Sequence, residues 1–194
     1  MAKVTVGPDA EQRILRAAET VFKEQGFKRG TVRQISEACG LSIGAVATVG
    51  AKEQLLVRVV ERKIAALHPA PSSRESHTTS AADAICKQLE GFFDFFEGEW
   101  ALAREYASVL ATGRYESDVF PALADELVVE FSDQLQKGEG DPRSTRVVAQ
   151  SIYLAYLGSL YLWTVQGIDA RPACERHLHA AVRLLARSDE ATGS

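Results

Sequence analysis

Between Thr31 and Ser42 the stretch TVRQISEACGLS sets two hydroxyl residues on either side of a single glycine, Gly40. A Thr or Ser ahead of a short apolar-periodic run opens a helix, because its oxygen accepts a free amide of the first turn. Gly40 supplies the positive φ at which one helix ends and the chain turns sharply into the next. The stretch therefore predicts two short helices meeting at an angle: one opened by Thr31 with Val32 and Ile35 inward, one opened by Ser42 with Val46 and Val49 inward. Such a pair needs a small residue at the crossing and an apolar lock on the second helix, and Ser36 and Val46 stand at those places. Two short helices bury no core alone. The third wall comes from residues 9–25, where Ile14, Ala18, Val21 and Phe22 form one stripe. Asp9 with Gln12 reads as its capping box and Gly26 as its stop.

The rest of the chain is also helical in pattern. Residues 52–68 carry Leu55, Leu56, Val59, Val60, Ile64 and Leu67 on one face. The stretch HPAPSSRESHTTS reads as a linker or long loop. Ser80 with Asp83 opens a helix striped by Ile85, Leu89, Phe92, Phe93 and Phe96, and further helices are expected at 99–112, 117–136, 142–167 and 172–187, separated by the turn-rich TGRYES, KGEGDP and GIDARP. With no strand pattern and no repeat, the fold class is all-α.

Val147 to Ile168 carries no charge and is long enough to cross a bilayer. Gln150, Ser151, Ser159, Thr164 and Gln166 interrupt it, and no positive flank sets a topology. A helix apolar all round is buried on both sides, and at about 100° per residue Ser151, Ala155, Gly158, Ser159 and Leu162 share one face opposite Tyr153, Leu157, Leu160 and Thr164. That small-residue face is the expected contact with a second copy of the chain, and no membrane partner is expected.

Charge and chemistry narrow the function. Residues 1–63 hold 11 Lys+Arg against 7 Asp+Glu, and the remainder 11 against 19, so a mildly basic head precedes an acidic body. A polyanion partner is possible at the head only. The three cysteines are scattered, which suits a reducing cytosol and gives neither a disulfide framework nor a zinc site, and the N-terminus lacks the apolar run of a signal peptide. Cys39 reads as a small buried thiol. His177 and His179, two residues apart on a helix, cannot share a metal, and Glu97 and Glu99 flank a glycine on an expected surface. With no nucleophile–base pair, phosphate loop or cofactor signature, neither an enzyme nor a cofactor or metal is expected.

On the residues RILRAAETVFKEQGF, TVRQISEACGLS and KEQLL, in that order between Arg13 and Val60, the chain resembles the N-terminal domain of TetR-family transcriptional regulators. The resemblance implies a helix-turn-helix DNA-binding domain at 1–51, and a larger helical ligand-binding and dimerisation domain at 52–194. It implies a homodimer whose heads bind double-stranded operator DNA and whose bodies bind a small molecule. One departure stands out: VATVGAKE is one residue shorter than the family's usual run before the Lys-Glu pair, and it has no aromatic residue after Val46. The loop at Gly50 is expected to absorb the loss.

With Val46 and Val49 inward, Ile43, Gly44, Ala47 and Thr48 face outward and Ser42 stands at the tip. Ile43 and Ala47 suit thymine methyls, Gly44 lets the backbone approach the groove, and the Ser42 and Thr48 hydroxyls can bond several base edges. The helix has no Arg, Lys, Asn or Gln to read guanine or adenine. Phosphate contacts are expected from Thr31, Lys52 and Arg33 or Lys28. In the body, Phe92, Phe93, Phe96, Trp100, Phe120, Tyr153, Tyr156 and Trp163 are candidates to line a pocket for an apolar or aromatic ligand, with His68 at the end of the helix leaving the head. The sequence thus predicts a repressor released from a palindromic operator by such a ligand. The alternative is a small-molecule-binding protein that keeps the scaffold and has lost operator reading.

Overall fold

The computed structural model describes residues 6–67, 80–115, 117, 119–136 and 142–192, without the side chains of residues 119, 120 and 188–192. Among these residues there are α-helices, one 3-10 turn and no strand. They are α1 (Pro8–Gln25), α2 (Val32–Cys39), α3 (Ile43–Val49), α4 (Lys52–Leu67), α5 (Ala81–Gly98), α6 (Trp100–Ala111), α7 (Val119–Leu135), α8 (Pro142–Gln166) and α9 (Arg171–Thr192). The linker expected at 68–80 lies outside the described residues except for Ser80. Among the described residues no helix is long and apolar enough to cross a membrane.

The chain forms two compact units, one of α1–α4 with α6 and one of α5 with α7–α9. This differs from a division at 51/52. The reason lies in α4, whose Leu55, Leu56, Val59, Val60 and Ile64 are all buried and which packs on α1 and α6. By compactness α4 belongs with the head.

In the first unit, Ile14, Ala18 and Phe22 of α1 are almost fully buried, together with Ile35 of α2 and Val46 of α3. Helix α1 begins earlier than the sequence suggests. Pro8 opens it behind Gly7, no side chain caps it, and Asp9 lies in the first turn rather than at the cap. Proline at this place has its ring angle set for a helix and no amide to leave unpaired, so the capping box of Asp9 and Gln12 is not needed.

In the second unit, the α5 stripe of Ile85, Leu89, Phe92, Phe93 and Phe96 is buried. The Trp163 ring of α8 stacks on Phe93 with centroids 5.4 Å apart, and its Nε1 donates to the Ile168 carbonyl at 3.0 Å. Arg171, at the start of α9, sets its guanidinium 6.0 Å from the Trp163 ring centre and pairs with Asp94, Glu97 and Glu175. One arginine so ties the first turn of α9 to the last turn of α5.

Candidate functional site

The helix pair of the head is built by its caps. The Gln34 amide donates to Thr31 Oγ1 at 3.2 Å, and the Thr31 amide donates to Gln34 Oε1 at 2.9 Å, a reciprocal capping box. Helix α2 ends at Gly40, whose φ of 64° is left-handed and whose amide turns back to the carbonyls of Glu37 and Ser36. The Ser36 hydroxyl, at the crossing, donates to the Leu41 carbonyl at 2.5 Å. Ser42 then caps α3, accepting the Ala45 amide at 3.1 Å.

Helix α3 buries Val46 and Val49 and exposes Ser42, Ile43, Gly44, Ala47 and Thr48. Ile43 is 51% exposed. The Thr48 hydroxyl donates to the Gly44 carbonyl at 2.9 Å, so its proton is engaged while its lone pairs remain free to accept. The short run before Lys52 is accommodated in the link. Helix α3 keeps two turns, and Gly50 and Ala51 alone connect it to α4. A Cβ at Gly50 would lie 3.0 Å from Gln54 Cβ, so the two-residue link closes only on glycine.

The expected phosphate-binding side chains lie around this face, but they are not idle. Thr31 is exposed at the start of α2. Arg33 is exposed and pairs with Glu37 one turn on, Nε to Oε1 3.0 Å. Lys52, at the first position of α4, donates its ammonium to the Lys28 carbonyl at 3.1 Å and sits 4.6 Å over the Phe27 ring. Lys28 points to Glu105 at 3.7 Å.

In the second unit the structure brings Phe92, Tyr153 and Tyr156 together. The Phe92 and Tyr156 rings are 5.7 Å apart, and those of Tyr153 and Tyr156 are 6.4 Å apart. Tyr153 is 7% exposed, burial holds its phenol above the ordinary value, and no described residue forms a hydrogen bond with its hydroxyl. Phe96 is buried beside Phe95. Trp100 opens α6 in the first unit. His68 lies outside the described residues, as does the side chain of Phe120 in the first turn of α7.

On α8, Gly158 and Leu162 are exposed whereas Ser151, Ala155 and Ser159 are half-buried. The open face carries Val147, Leu154, Tyr161, Leu162 and Val165, each at least half exposed, with Leu184 of α9 at 68%. His177 is exposed, His179 lies 3.6 Å from Glu90, and Cys39, Cys86 and Cys174 are buried free thiols. Glu99 was expected on the surface. It is instead 19% exposed and sits between the ammonium groups of Lys63 and Lys23, because α6 starts against α1 and α4.

Residues 14–48 match the family model of bacterial regulatory proteins, tetR family. No curated protein matches the chain. Among solved structures, a TetR transcriptional regulator from Rhodococcus sp. RHA1 is 16% identical, with 93% of this chain and 97% of that one covered and a TM-score of 0.66. A TetR variant from Acinetobacter baumannii AYE in complex with minocycline is 15% identical (98% and 99% covered, TM-score 0.60). The fatty acid degradation regulator FadR from Bacillus halodurans is 19% identical (94% and 96% covered, TM-score 0.58). The head at residues 14–48 thus matches the tetR family model, and the whole chain has the fold seen in TetR transcriptional regulators.

Proposed function

We propose that the protein is a cytoplasmic, homodimeric repressor that reads a palindromic operator with α3 and is released by a small apolar or aromatic ligand. The observation that carries the DNA half is the face of α3. Two valines are buried beneath it, while Ile43, Gly44, Ala47 and Thr48 stand exposed side by side between two capped ends. An exposed apolar helix face of that size in a small capped unit is suited to thymine methyls and groove backbone. Discrimination per base falls at the low end of ~1–3 kcal/mol, since no bidentate reader is present. In a homodimer two such heads meet successive major grooves about 34–36 Å apart.

The ligand half rests on Tyr153, a buried ring beside Phe92 and Tyr156 whose hydroxyl has no hydrogen-bond partner among the described residues. Such a hydroxyl is available to orient a ligand's polar group. Of the proteins similar in fold, the Acinetobacter baumannii TetR variant is in complex with minocycline, and FadR is a fatty acid degradation regulator. The dimer half rests on the open apolar face of α8 and α9, with the 142–167 and 172–187 helices meeting their copies.

The alternative, a ligand-binding scaffold without operator reading, is favoured by one observation: Lys52 and Arg33 each already hold a partner within the chain, the Lys28 carbonyl and the exposed Glu37 carboxylate. Selection of bound fragments from a random DNA pool, followed by gel shift across a salt series, separates the two. An operator reader enriches an imperfect palindrome. Weak binding with steep salt dependence and no enriched sequence would sink the repressor and leave the scaffold.

A further inference from the structure

Helix α3 has two turns, and Val46 and Val49 are its buried residues. Two contacts on one side define an axis about which so short a helix can roll. A roll of about 20° sweeps its outer surface by about 2 Å, the arc on a radius of about 5–6 Å. That displacement undoes a hydrogen bond to a base edge. The reading face therefore needs a third point of attachment away from the two valines.

Arg58, one and a half turns into α4, supplies it. Its Nη1 donates to the carbonyl of Val49, the last residue of α3, at 3.2 Å, and its Nη2 pairs with Glu11 in the first turn of α1. Both side chains are two-thirds buried. The guanidinium places positive charge at the negative end of the α3 dipole and satisfies a terminal carbonyl. A fork of fixed shape holds two partners at a set angle, which a single ammonium cannot do. Three elements, α1, α3 and α4, meet at this one side chain. The neighbouring Gly50 amide returns to the Val46 carbonyl at 3.3 Å, so the end of α3 is held from both the helix and the arginine.

We propose that Arg58, with Glu11 as its anchor, is the positioning residue of the reading helix. It touches no DNA in this assignment and acts by fixing the roll of α3, and with it the set of Ile43, Ala47 and Thr48. The inference rests on α3 being the reading helix, and its test has one arm that does not.

In the protein without DNA, amide hydrogen exchange is followed at Val49 and Gly50, with α2 amides as reference. Arg58→Met, which keeps the stem and removes both bonds, is expected to speed exchange at the end of α3 about tenfold and leave α2 unchanged. Glu11→Gln is expected to act in the same direction by less. On the sequence enriched by the wild type, Arg58→Met is expected to lose about tenfold in specific affinity with the salt slope and non-specific binding unchanged. Arg58→Lys, which keeps the charge and one partner, is expected to fall between; it and Glu11→Gln carry the test if the methionine variant does not fold. Unchanged exchange would overturn the proposal. So would a loss equal on all sequences with a slope lower by about 1, which marks a phosphate contact. If the wild type enriches no sequence, operator reading fails while the exchange arm still decides on Arg58.

Discussion

Lys63→Met tests whether the charge network at the start of α6 holds the head together. Lys63 Nζ lies 2.8 Å from both Glu19 of α1 and Glu99 ahead of α6. Lys23 reaches the same Glu99 at 2.9 Å and Arg62 reaches Glu19 at 2.7 Å. The two carboxylates and Lys63 are each about one-fifth exposed. Exposed pairs contribute ~0–1 kcal/mol, while breaking a fully buried pair costs ~3–5 kcal/mol. Here burial is incomplete and each glutamate keeps another cation, so the cost falls between, at about 2 kcal/mol. For a chain of this size that lowers the melting temperature by about 4–8 °C.

The pH dependence gives this prediction a sign. Burial works to raise Glu19 and Glu99, but their bonds to Lys63 and Lys23 outweigh it and leave both below the ordinary 4.5. A carboxyl with a lowered folded value contributes stability that is fully present above the unfolded value and is lost as pH falls through the folded one. The gap between wild type and Lys63→Met should therefore be full above about pH 4.5 and close below it. Thermal melts by circular dichroism from pH 7 down to pH 3 read both quantities. A shift of under about 1 °C at neutral pH would refute the magnitude. A gap of constant size down to pH 3 would show that packing of the lysine stem, not charge, is what was lost.

In sedimentation, Leu154→Arg is expected to give monomers by placing a charge in the open α8 face, whereas Ser159→Arg should act more weakly; a dimeric Leu154→Arg protein would move the interface elsewhere. Tyr153→Phe should leave folding and ligand-free DNA binding near wild type and weaken release by ligand, and an unaltered release curve would remove that hydroxyl from recognition. Lys52→Ala should lower the salt slope by about 1 across all sequences. An unchanged slope would leave Lys52 with the Lys28 carbonyl and the Phe27 ring as its only role.

What was legible in the sequence is what depends on neighbours in the chain. The Thr31 and Ser42 caps, the Gly40 turn and the buried stripes of α1, α4 and α5 follow from spacings of three and four residues, and they stand in the structure except at Leu67, which is exposed at the last position of α4. What was not legible depends on partners far along the chain. Arg58 with Glu11, Lys63 with Glu99 and Arg171 with Asp94 are joined over 36 to 77 positions, and no periodicity announces such pairs. Glu99 looked like surface because a glycine precedes it, and Lys52 looked free because its acceptor is a backbone carbonyl.

Helix α8 shows where the boundary of legibility runs. An amphipathic helix states its inward direction through contrast between faces, and α8 has little contrast, being apolar all round. The wheel then offers two candidate faces and no rule for choosing between them except residue size. Small residues permit close approach by any helix, including the chain's own neighbours, so size does not single out a second copy. In the structure Val147, Leu154, Tyr161 and Val165 fall within about 20° of one line at about 100° per residue, and that line is open. Gly158 lies about 40° from Leu154, Ser151 about 60° and Leu162 about 80°, whereas Ala155 lies about 100° and Ser159 about 140° away, so the small face overlaps the open one along one edge only. The tyrosines divide in the same way: Tyr153 and Tyr156 are buried, whereas Tyr161 is exposed on the open line. A tyrosine hydroxyl is costly inside unless a partner meets it, but at the surface water meets it, so residue type alone does not distinguish the inner side of α8 from the outer.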